Sequence, residues 1–526
     1  MVARVHASGA SLAFAAPEDL LFTATEVNEW AWNKALEETV DAVYPRFFAP
    51  GHAAVWDETS ATATLQATSI VEARPELMTL LREARSRNLP AFLDEAILSV
   101  GAGAGHQAWP LDALPALGGV PWERLHDIPT ALVTGSNGKT TSVRLLAAMA
   151  TAHGWTTGHT CTDGIYVADE LVESGDYSGP GGARSVLRDG RVEVAILETA
   201  RGGILRRGLA VRQADVVLVT NVSPDHFGEY GIHSLADLTD AKLVVARAVE
   251  TGGLLVLNAD DAQLAARASR LKCPLGWFSL NDGHPLLSAH RSSGGGTCGI
   301  RVDRMNLHWK GEVYDLGDVA CMPLSASGNA IYNIANLAGA ALAAAALGIG
   351  PATIATVLAT FGTSRMDNPG RLGTWRFGGI TVLMDYAHNP EGLEGLMKVA
   401  MSARGTGRLG LLLGQAGNRE DTIIRSLAAM AAEFNPDLVV LKDLDGYLRG
   451  RDAGEVPEIL REALLAQGIP SERIRTVLPE ADAAREILDW ARAGDVVVLP
   501  VHGEAARKNV IEYLDSRSGP LPPARR

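Results

Sequence analysis

The sequence predicts an α/β protein of three domains, and three observations carry that reading. First, short, continuous apolar runs rich in Val and Leu recur. TALVTG, VEVAILET, ADVVLVTNV and GLLVLNADD lie between residues 130 and 261, and ITVLMDYAHNP, RLGLLLGQAGNRED, PDLVVLKDLDG and GDVVVLPVHGE lie between 380 and 504. Runs without polar alternation fit strands buried on both faces of a parallel sheet. Second, each run ends in polar or small residues, and in open α/β sheets ligands bind at the carboxyl ends of the strands. Lys139, Glu198, Asn221 and Asp260, far apart in sequence, would then gather along one edge. Third, LVTGSNGKTTSVRLLAAM (Leu132–Met149) reads as a buried strand, a glycine turn and the first turns of a helix. A phosphate suits that junction, where backbone N–H groups and the positive end of a helix dipole converge.

The expected domains are 1–126, 127–363 and 364–526. The first holds no strong chemical motif. It has helical stretches around ATEVNEWAWNKALEETVDAV and PELMTLLREARSRN, then a Gly/Pro-rich connector, GAGAGHQAWPLDALPALGGVPW. The second is a parallel-sheet domain built around the glycine turn. The third repeats the strand–helix rhythm as a Rossmann-like unit with its own polar strand ends.

Composition narrows the function. The 526 residues are 47% hydrophobic and 21% charged, enough to bury cores and too balanced for wholesale disorder. A net charge of −14 gives no electrostatic footprint for nucleic acid or an anionic membrane, so an anionic substrate needs a local cationic site. Cys161, Cys273, Cys298 and Cys321 are scattered without zinc-like spacing, which reads as a reduced, cytoplasmic protein. The first residues lack the continuous apolar core of a signal peptide. ASGNAIYNIANLAGAALAAAALGIG is uncharged but carries several Asn, and reads as a buried helix rather than a membrane span.

The motifs carry the chemistry. In Gly135-Ser136-Asn137-Gly138-Lys139-Thr140-Thr141, glycines admit phosphate oxygens to the backbone, Lys139 reaches the β/γ-phosphates and Thr140 can ligate Mg²⁺. Val133 stands where the usual spacing has its first glycine, so the loop is a shortened variant; the alternative is a structural turn. Glu198, at a strand end, suits the same Mg²⁺, the alternative being a salt-bridged carboxylate. TNVSPDHFGEYG carries Asn221, Asp225 and His226 just after a strand; the His and Asp side chains suit a second metal or a polarised acyl phosphate, against an Asx-type turn with a hydrogen-bonded histidine. Asp385 in DYAHNP suits a ribose hydroxyl, and Arg371 in NPGRLGTW suits a γ-phosphate met as a lid closes. Lys242, near the start of an amphipathic helix, reads by itself as a solvated charge.

These residues, in this order, resemble the Mur ligase family of ATP-dependent amide-forming ligases. The likeness runs through TGSNGKTT, Glu198, TNVSPDH, Lys242, LNADD, YNIAN, NPGR and DYAHNP, from about residue 127 to the end. The shortened loop is the family's own form. CTDGIYV, ESGDYSGP, ETARGGILR and LRGRDAGE are similar to the Mur-ligase half of cyanophycin synthetases, which also carry an ATP-grasp domain that this sequence leaves no room for. GQAGNRED stands where those relatives are more charged, in the segment that recognises the incoming amino acid, so the amine stays open.

The resemblance implies a two-stage reaction on ATP, in which a carboxylate becomes an acyl phosphate and an amine displaces the phosphate. It implies that Lys139 and Arg371 neutralise phosphate and that Thr140 and Glu198 hold one Mg²⁺. His226 and Lys242, the latter carbamylated, would hold a second. Asn333 and Asn336 would face adenine, Asp385 the ribose, and Asn221 and His388 would complete the nucleotide site. Arg201 would lie near the acceptor carboxylate, Arg419 and Asp421 near the amine, and Thr162, Asp163 and Asn389 among the substrate contacts. The implied partners are a small-molecule or peptide-like carboxylate and an amino acid, and relatives of this type form homo-oligomers. A small-molecule amino-acid ligase and a non-catalytic nucleotide-binding subunit are the alternatives.

Overall fold

The apolar runs assemble into two largely parallel sheets. In the computed structural model, which describes residues 2–6, 9–39, 58–224, 227, 229–444 and 446–518, the larger sheet has eleven strands. Thr130–Thr134 lies in its interior, between Val194–Glu198 and Ala214–Val219. Thr157–Cys161 continues the parallel array beyond Val194–Glu198, and Val249–Asn258, Leu275–Ser279 and Thr297–Arg301 continue it on the other side. Val and Leu recur in the central strands because both faces are covered; every residue of Thr130–Thr134 and Val194–Glu198 is buried.

Each edge of this sheet is an antiparallel meander that the apolar runs did not announce. Thr157–Cys161 turns back through Gly164–Val167 to Glu170–Ser174, and Thr297–Arg301 through Arg304–Trp309 to Glu312–Asp318. Glu170–Ser174 is exposed along its whole length, so nothing selects for a hydrophobic run there.

The Ala-rich stretch is the helix Ile331–Ala346, buried from Asn336 to Ala345. Its small side chains let it lie close on the sheet; a Cβ on Gly339 would already touch the Phe278 ring at 3.0 Å. It also packs on the helix Lys139–His153 behind the glycine turn. Leu337 is fully buried in this cluster, where truncation to Ala costs about 2–5 kcal/mol. Among the described residues no helix is long and apolar enough to cross a membrane.

The second sheet has six strands in the order Gly373–Phe377, Ile380–Asp385, Val496–Pro500, Leu409–Leu413, Leu438–Leu441 and Ile474–Thr476. The last five are parallel and the first is an antiparallel edge. Helices cover both faces, in two apolar clusters. Both sheets fall within one compact unit, Ile128–Arg526.

Met1–Asp127 forms a separate unit. The helix Leu21–Thr39 begins where Glu72 accepts the Phe22 and Thr23 N–H groups at 2.7 Å each. The helix Pro75–Ser86 packs Leu77, Leu80 and Leu81 against a three-stranded antiparallel sheet of Ala91–Leu93, Ile97–Val100 and Gln107–Pro110.

Candidate active site

The glycine turn is held by the neighbouring strand end. Ser136 N donates to Asn221 O at 2.9 Å, Asn137 N to Asn221 Oδ1 at 2.9 Å, and Thr220 Oγ1 to Asn137 O at 2.6 Å. Ser136 Oγ exchanges hydrogen bonds with Ser223 O and Ser223 N, both at 3.0 Å. Gly138 then opens the helix at φ +82°, a left-handed conformation that favours glycine. Asn336 stands against the bare face of Gly138, so a side chain there would meet it. Lys139 Nζ folds back to donate to Ser136 O at 3.0 Å, within reach of whatever the loop encloses.

Beside the loop lies a compact set of oxygen ligands. Thr140 Oγ1 donates to Glu198 Oε2 at 2.8 Å, and Thr162 Oγ1 donates to Glu198 Oε1 at 3.0 Å. Glu198 is 1% exposed. A carboxylate with two hydroxyls is a hard, all-oxygen donor set of the kind that takes Mg²⁺ together with phosphate oxygens. Among the described residues no group of three or more His, Cys, Asp or Glu is arranged to hold a metal unaided.

The second sheet supplies the opposite wall. Loop and wall enclose a cleft of about 820 Å³, its mouth included. Asn137, Lys139, Thr140 and Thr141 line one side together with Thr162, Glu198 and Asn221. Asn333 and Asn336 come from the Ala-rich helix, and Arg371, Asp385 and His388 from the second-sheet side. Asn333 and Asn336 are one turn apart and hydrogen-bonded at 3.3 Å. Tyr332 also lines the cleft, and its buried hydroxyl makes no hydrogen bond, so a polar group of a ligand has an orphan waiting there. Tyr332 opens the YNIAN motif, and its spacing from the two asparagines is the sequence signal for it.

Arg371 leans on the face of Tyr386 at 4.3 Å and reaches Thr140 Oγ1 at 3.5 Å. It is one of three arginines around Asp163. Arg144 contacts Asp163 Oδ2 at 3.0 Å, Arg507 contacts Oδ1 at 2.7 Å, and Arg371 stands 3.7 Å from Oδ2. Burial pushes the Asp163 carboxyl up, but Arg371, Arg144 and Arg507 outweigh it and hold it below its ordinary value. Arg144 also donates to Pro369 O at 3.2 Å, so this cluster ties the first sheet's helix to the NPGR segment. Arg144 and Arg507 carried no motif signal: one sits mid-helix, the other in the C-terminal helix.

Other expected residues fall elsewhere. Asn389 caps the helix Pro390–Arg404 through Gly392 N at 2.8 Å and donates to Asn137 Oδ1 at 2.9 Å. Lys242 is 4% exposed and donates to Gly135 O at 2.7 Å, beneath the loop rather than in solvent. Arg201 is buried, pairs with Glu229 and stacks on Tyr230; Glu229 in turn accepts from Asn418 at 2.8 Å. Arg451 donates to Gly417 O at 2.8 Å, Arg419 O at 2.9 Å and Asp421 Oδ1 at 2.7 Å, and so shapes the segment that holds Arg419 and Asp421. Asp260 is engaged by Ser279 and Leu280 and does not line the cleft. His226 and Asp225 lie outside the described residues.

Residues 133–344 match the Mur ligase middle domain, and residues 370–500 match the Mur ligase glutamate ligase domain. The chain belongs to the Mur ligase family. Cyanophycin synthetase from Nostoc sp. is 38% identical over 381 residues, which is 72% of this chain and 42% of that protein. The chain thus spans about two-fifths of the length of such relatives. A UDP-N-acetylmuramoyl-L-alanyl-D-glutamate–2,6-diaminopimelate ligase from Xylella fastidiosa is 28% identical across 82% of this chain and 84% of its own. Folylpolyglutamate synthase from Mycobacterium tuberculosis, solved with ADP, shares the Mur ligase fold at a TM-score of 0.53 and 20% identity, over 74% of this chain and 90% of its own.

Proposed function

We propose that this chain is an ATP-dependent carboxylate–amine ligase, joining an amino acid to a small or peptide-like carboxylate. The observation that carries the reading is the convergence of Lys139, the Thr140–Thr162–Glu198 oxygen set and Arg371 on one cleft. The names of the relatives support it, since a diaminopimelate ligase joins an amino acid to a peptide-like acceptor. The organisation read from this is a domain at 1–126, an ATP-binding domain at 127–363 and a closing domain at 364–526.

In the first step a carboxylate oxygen of the acceptor attacks the γ-phosphorus of ATP. The bond from that phosphorus to the bridging oxygen breaks, and ADP leaves with its electron pair. The product is an acyl phosphate. In the second step the amine nitrogen attacks the acyl carbon, the tetrahedral adduct expels phosphate, and the nitrogen loses a proton. The loop N–H groups, Lys139 and Arg371 hold the phosphates and balance their charge, which is most of what phosphoryl transfer requires. Asp385 takes the ribose, and Asn333, Asn336 and Tyr332 take the nucleoside. Thr140 and Glu198 fit Mg²⁺, which would neutralise charge between the β- and γ-phosphates. With a carbamate, Lys242 would become an anionic oxygen ligand that, with His226, would hold a second Mg²⁺. The Asp163 cluster keeps the closing domain over the cleft, which excludes the water that would hydrolyse an acyl phosphate. The proposed setting is cytoplasmic, where ATP and Mg²⁺ are supplied.

The test supplies ATP, Mg²⁺ and panels of carboxylates and amines, and measures phosphate release. Release that needs both an acceptor and an amine is the expected result. Nucleotide binding without turnover across a broad panel would refute the ligase reading and favour a binding subunit.

A further inference from the structure

The second sheet buries an ionic set that the reaction above does not use. Lys442, just past the strand Leu438–Leu441, and Glu480, in the first turn of the helix Glu480–Trp490, are both 0% exposed. Their side chains form a salt bridge. His502, just past the strand Val496–Pro500, is 6% exposed and completes the set, with Lys442 Nζ 3.2 Å from its Nδ1. Glu480 also accepts His502 N at 2.9 Å and Gly503 N at 2.8 Å, which pins the loop that carries the imidazole.

Taking ions out of water costs several kcal/mol each, and well-packed apolar residues often replace such a set without loss of stability. Stability alone is therefore a weak reason for these three residues. Their position supplies a better one. They lie past the carboxyl ends of the strands, the side on which open α/β sheets bind ligands.

The hydrogen bonds define the state of the ring. An ammonium has donors only, so Nδ1 of His502 must accept from Lys442. The proton then sits on Nε2, which donates to Ala387 O at 2.9 Å. Burial and the Lys442 charge lower the His502 pKa to about 4, so the neutral ring persists. Ala387 follows Asp385 and Tyr386 in the DYAHNP loop. The His502 ring also meets the Tyr386 ring edge-on at 5.3 Å, and the same Tyr386 ring carries Arg371 at 4.3 Å and Arg507 at 5.4 Å. Gln415 donates to His388 O at 2.9 Å, a second clamp on the same loop.

We propose that His502 is a positioning residue for the ATP site: held by Lys442 and Glu480, it fixes the Ala387 carbonyl and the Tyr386 ring, and through Tyr386 the guanidinium of Arg371. This rests on the cleft being the ATP site. His502 touches no reacting atom; it sets the angle from which Asp385 and Arg371 meet the nucleotide.

The test compares the full chain with His502→Ala, His502→Gln and Tyr386→Leu. ADP affinity is measured by calorimetry, and KM is measured for ATP and for the acceptor carboxylate. His502→Ala should weaken ADP binding by about tenfold and raise the KM for ATP, the loss expected when one hydrogen bond to the nucleotide is misplaced. The KM for the acceptor should stay within about twofold. His502→Gln, which keeps an N–H for Ala387, should recover most of the loss. Should His502→Ala fail to fold, Tyr386→Leu leaves the buried ions paired and should reproduce the ATP-selective defect. In ¹⁵N-histidine-labelled protein, the His502 ring should carry its proton on Nε2. An equal rise in both KM values, wild-type ADP affinity in His502→Ala or Tyr386→Leu, no recovery by Gln, or a proton on Nδ1 would each overturn the proposal. Phosphate release is not needed for the ADP and ¹⁵N readouts. A protein that binds ADP normally but ligates nothing therefore fails as a ligase without deciding this point, whereas one that binds no ADP refutes both.

Discussion

Gly138→Ala tests whether the glycine turn exists for a ligand or only for the chain. A Cβ built on Gly138 would lie 2.8 Å from Cγ and Nδ2 of Asn336, and nearer still to its Oδ1. Carbon pairs are comfortable at about 3.5–4.0 Å, so Asn336 must retreat by roughly 1 Å. Its partner Asn333, 3.3 Å away, sits on the same buried helix, where little room is free. Losing that bond costs about 1 kcal/mol. Alanine at φ +82° adds about 1–2 kcal/mol. The sum is about 2–3 kcal/mol, read as a fall in Tm of a few °C in a unit of this size. Gly154→Ala, at the other end of the same helix, is the control. It has φ +105° and nothing within 4 Å of its built Cβ, so it carries the backbone strain without the collision. If the loop encloses phosphate, calorimetry should show ADP binding weakened about ten- to a hundredfold in Gly138→Ala, the loss of a hydrogen bond to a charged group, and unchanged in Gly154→Ala. Near-wild-type ADP affinity in Gly138→Ala, or equal losses in both, would refute the reasoning.

Three further outcomes are expected. Lys139→Ala should abolish phosphate release while melting close to wild type, since its visible anchor is a partly buried bond to Ser136 O; an active variant would sink the phosphate assignment. Asp163→Asn removes the carboxylate from among Arg144, Arg371 and Arg507 and should cost about 3–5 kcal/mol in denaturant melts. Saturating ADP should stabilise this variant more than wild type, and equal stabilisation would count against Arg371 as a phosphate ligand. Stability should also fall with acid through two buried histidines. His502 and His159 have pKa values lowered by burial to about 4 and about 3, from 6.5. The unfolded chain takes up their protons below pH 6.5 while the folded chain does not. Stability is therefore complete above pH 6.5 and lost as the pH falls toward 4, by about 1.4 kcal/mol per pH unit for each ring. Denaturant titrations across that range check the slope, and His502→Gln should remove about half of it.

How much of this was legible depended on where the signal lay. TALVTG, VEVAILET and GDVVVLPVHGE announced buried parallel strands because both their faces are covered. Glu170–Ser174 and Glu312–Asp318 announced nothing, because edge strands are half solvated and take ordinary polar residues. Lys139, Thr140, Glu198 and Asp385 stood out because charged and hydroxyl side chains at or just past strand ends mark the side of an open sheet where ligands bind. Arg144, Arg507 and His502 were invisible. Each sits in a stretch where an arginine or histidine is unremarkable, and acquires meaning only from a partner far along the chain; Arg507 meets Asp163 across 344 positions. Lys242 read as a solvated charge from its helix alone and is instead buried beneath Gly135 O.

By itself, the sequence determined the α/β class, the glycine turn and the set of groups able to handle phosphate, because periodicity and strand-end chemistry are local properties. The tertiary structure decided which of those groups share a cleft, how Asp163 is divided among three arginines, and that Lys442, Glu480 and His502 meet under the DYAHNP loop. Those are matters of burial and pairing. A buried charge takes its energy from the partners that replace its water, and only the folded chain says which partners those are.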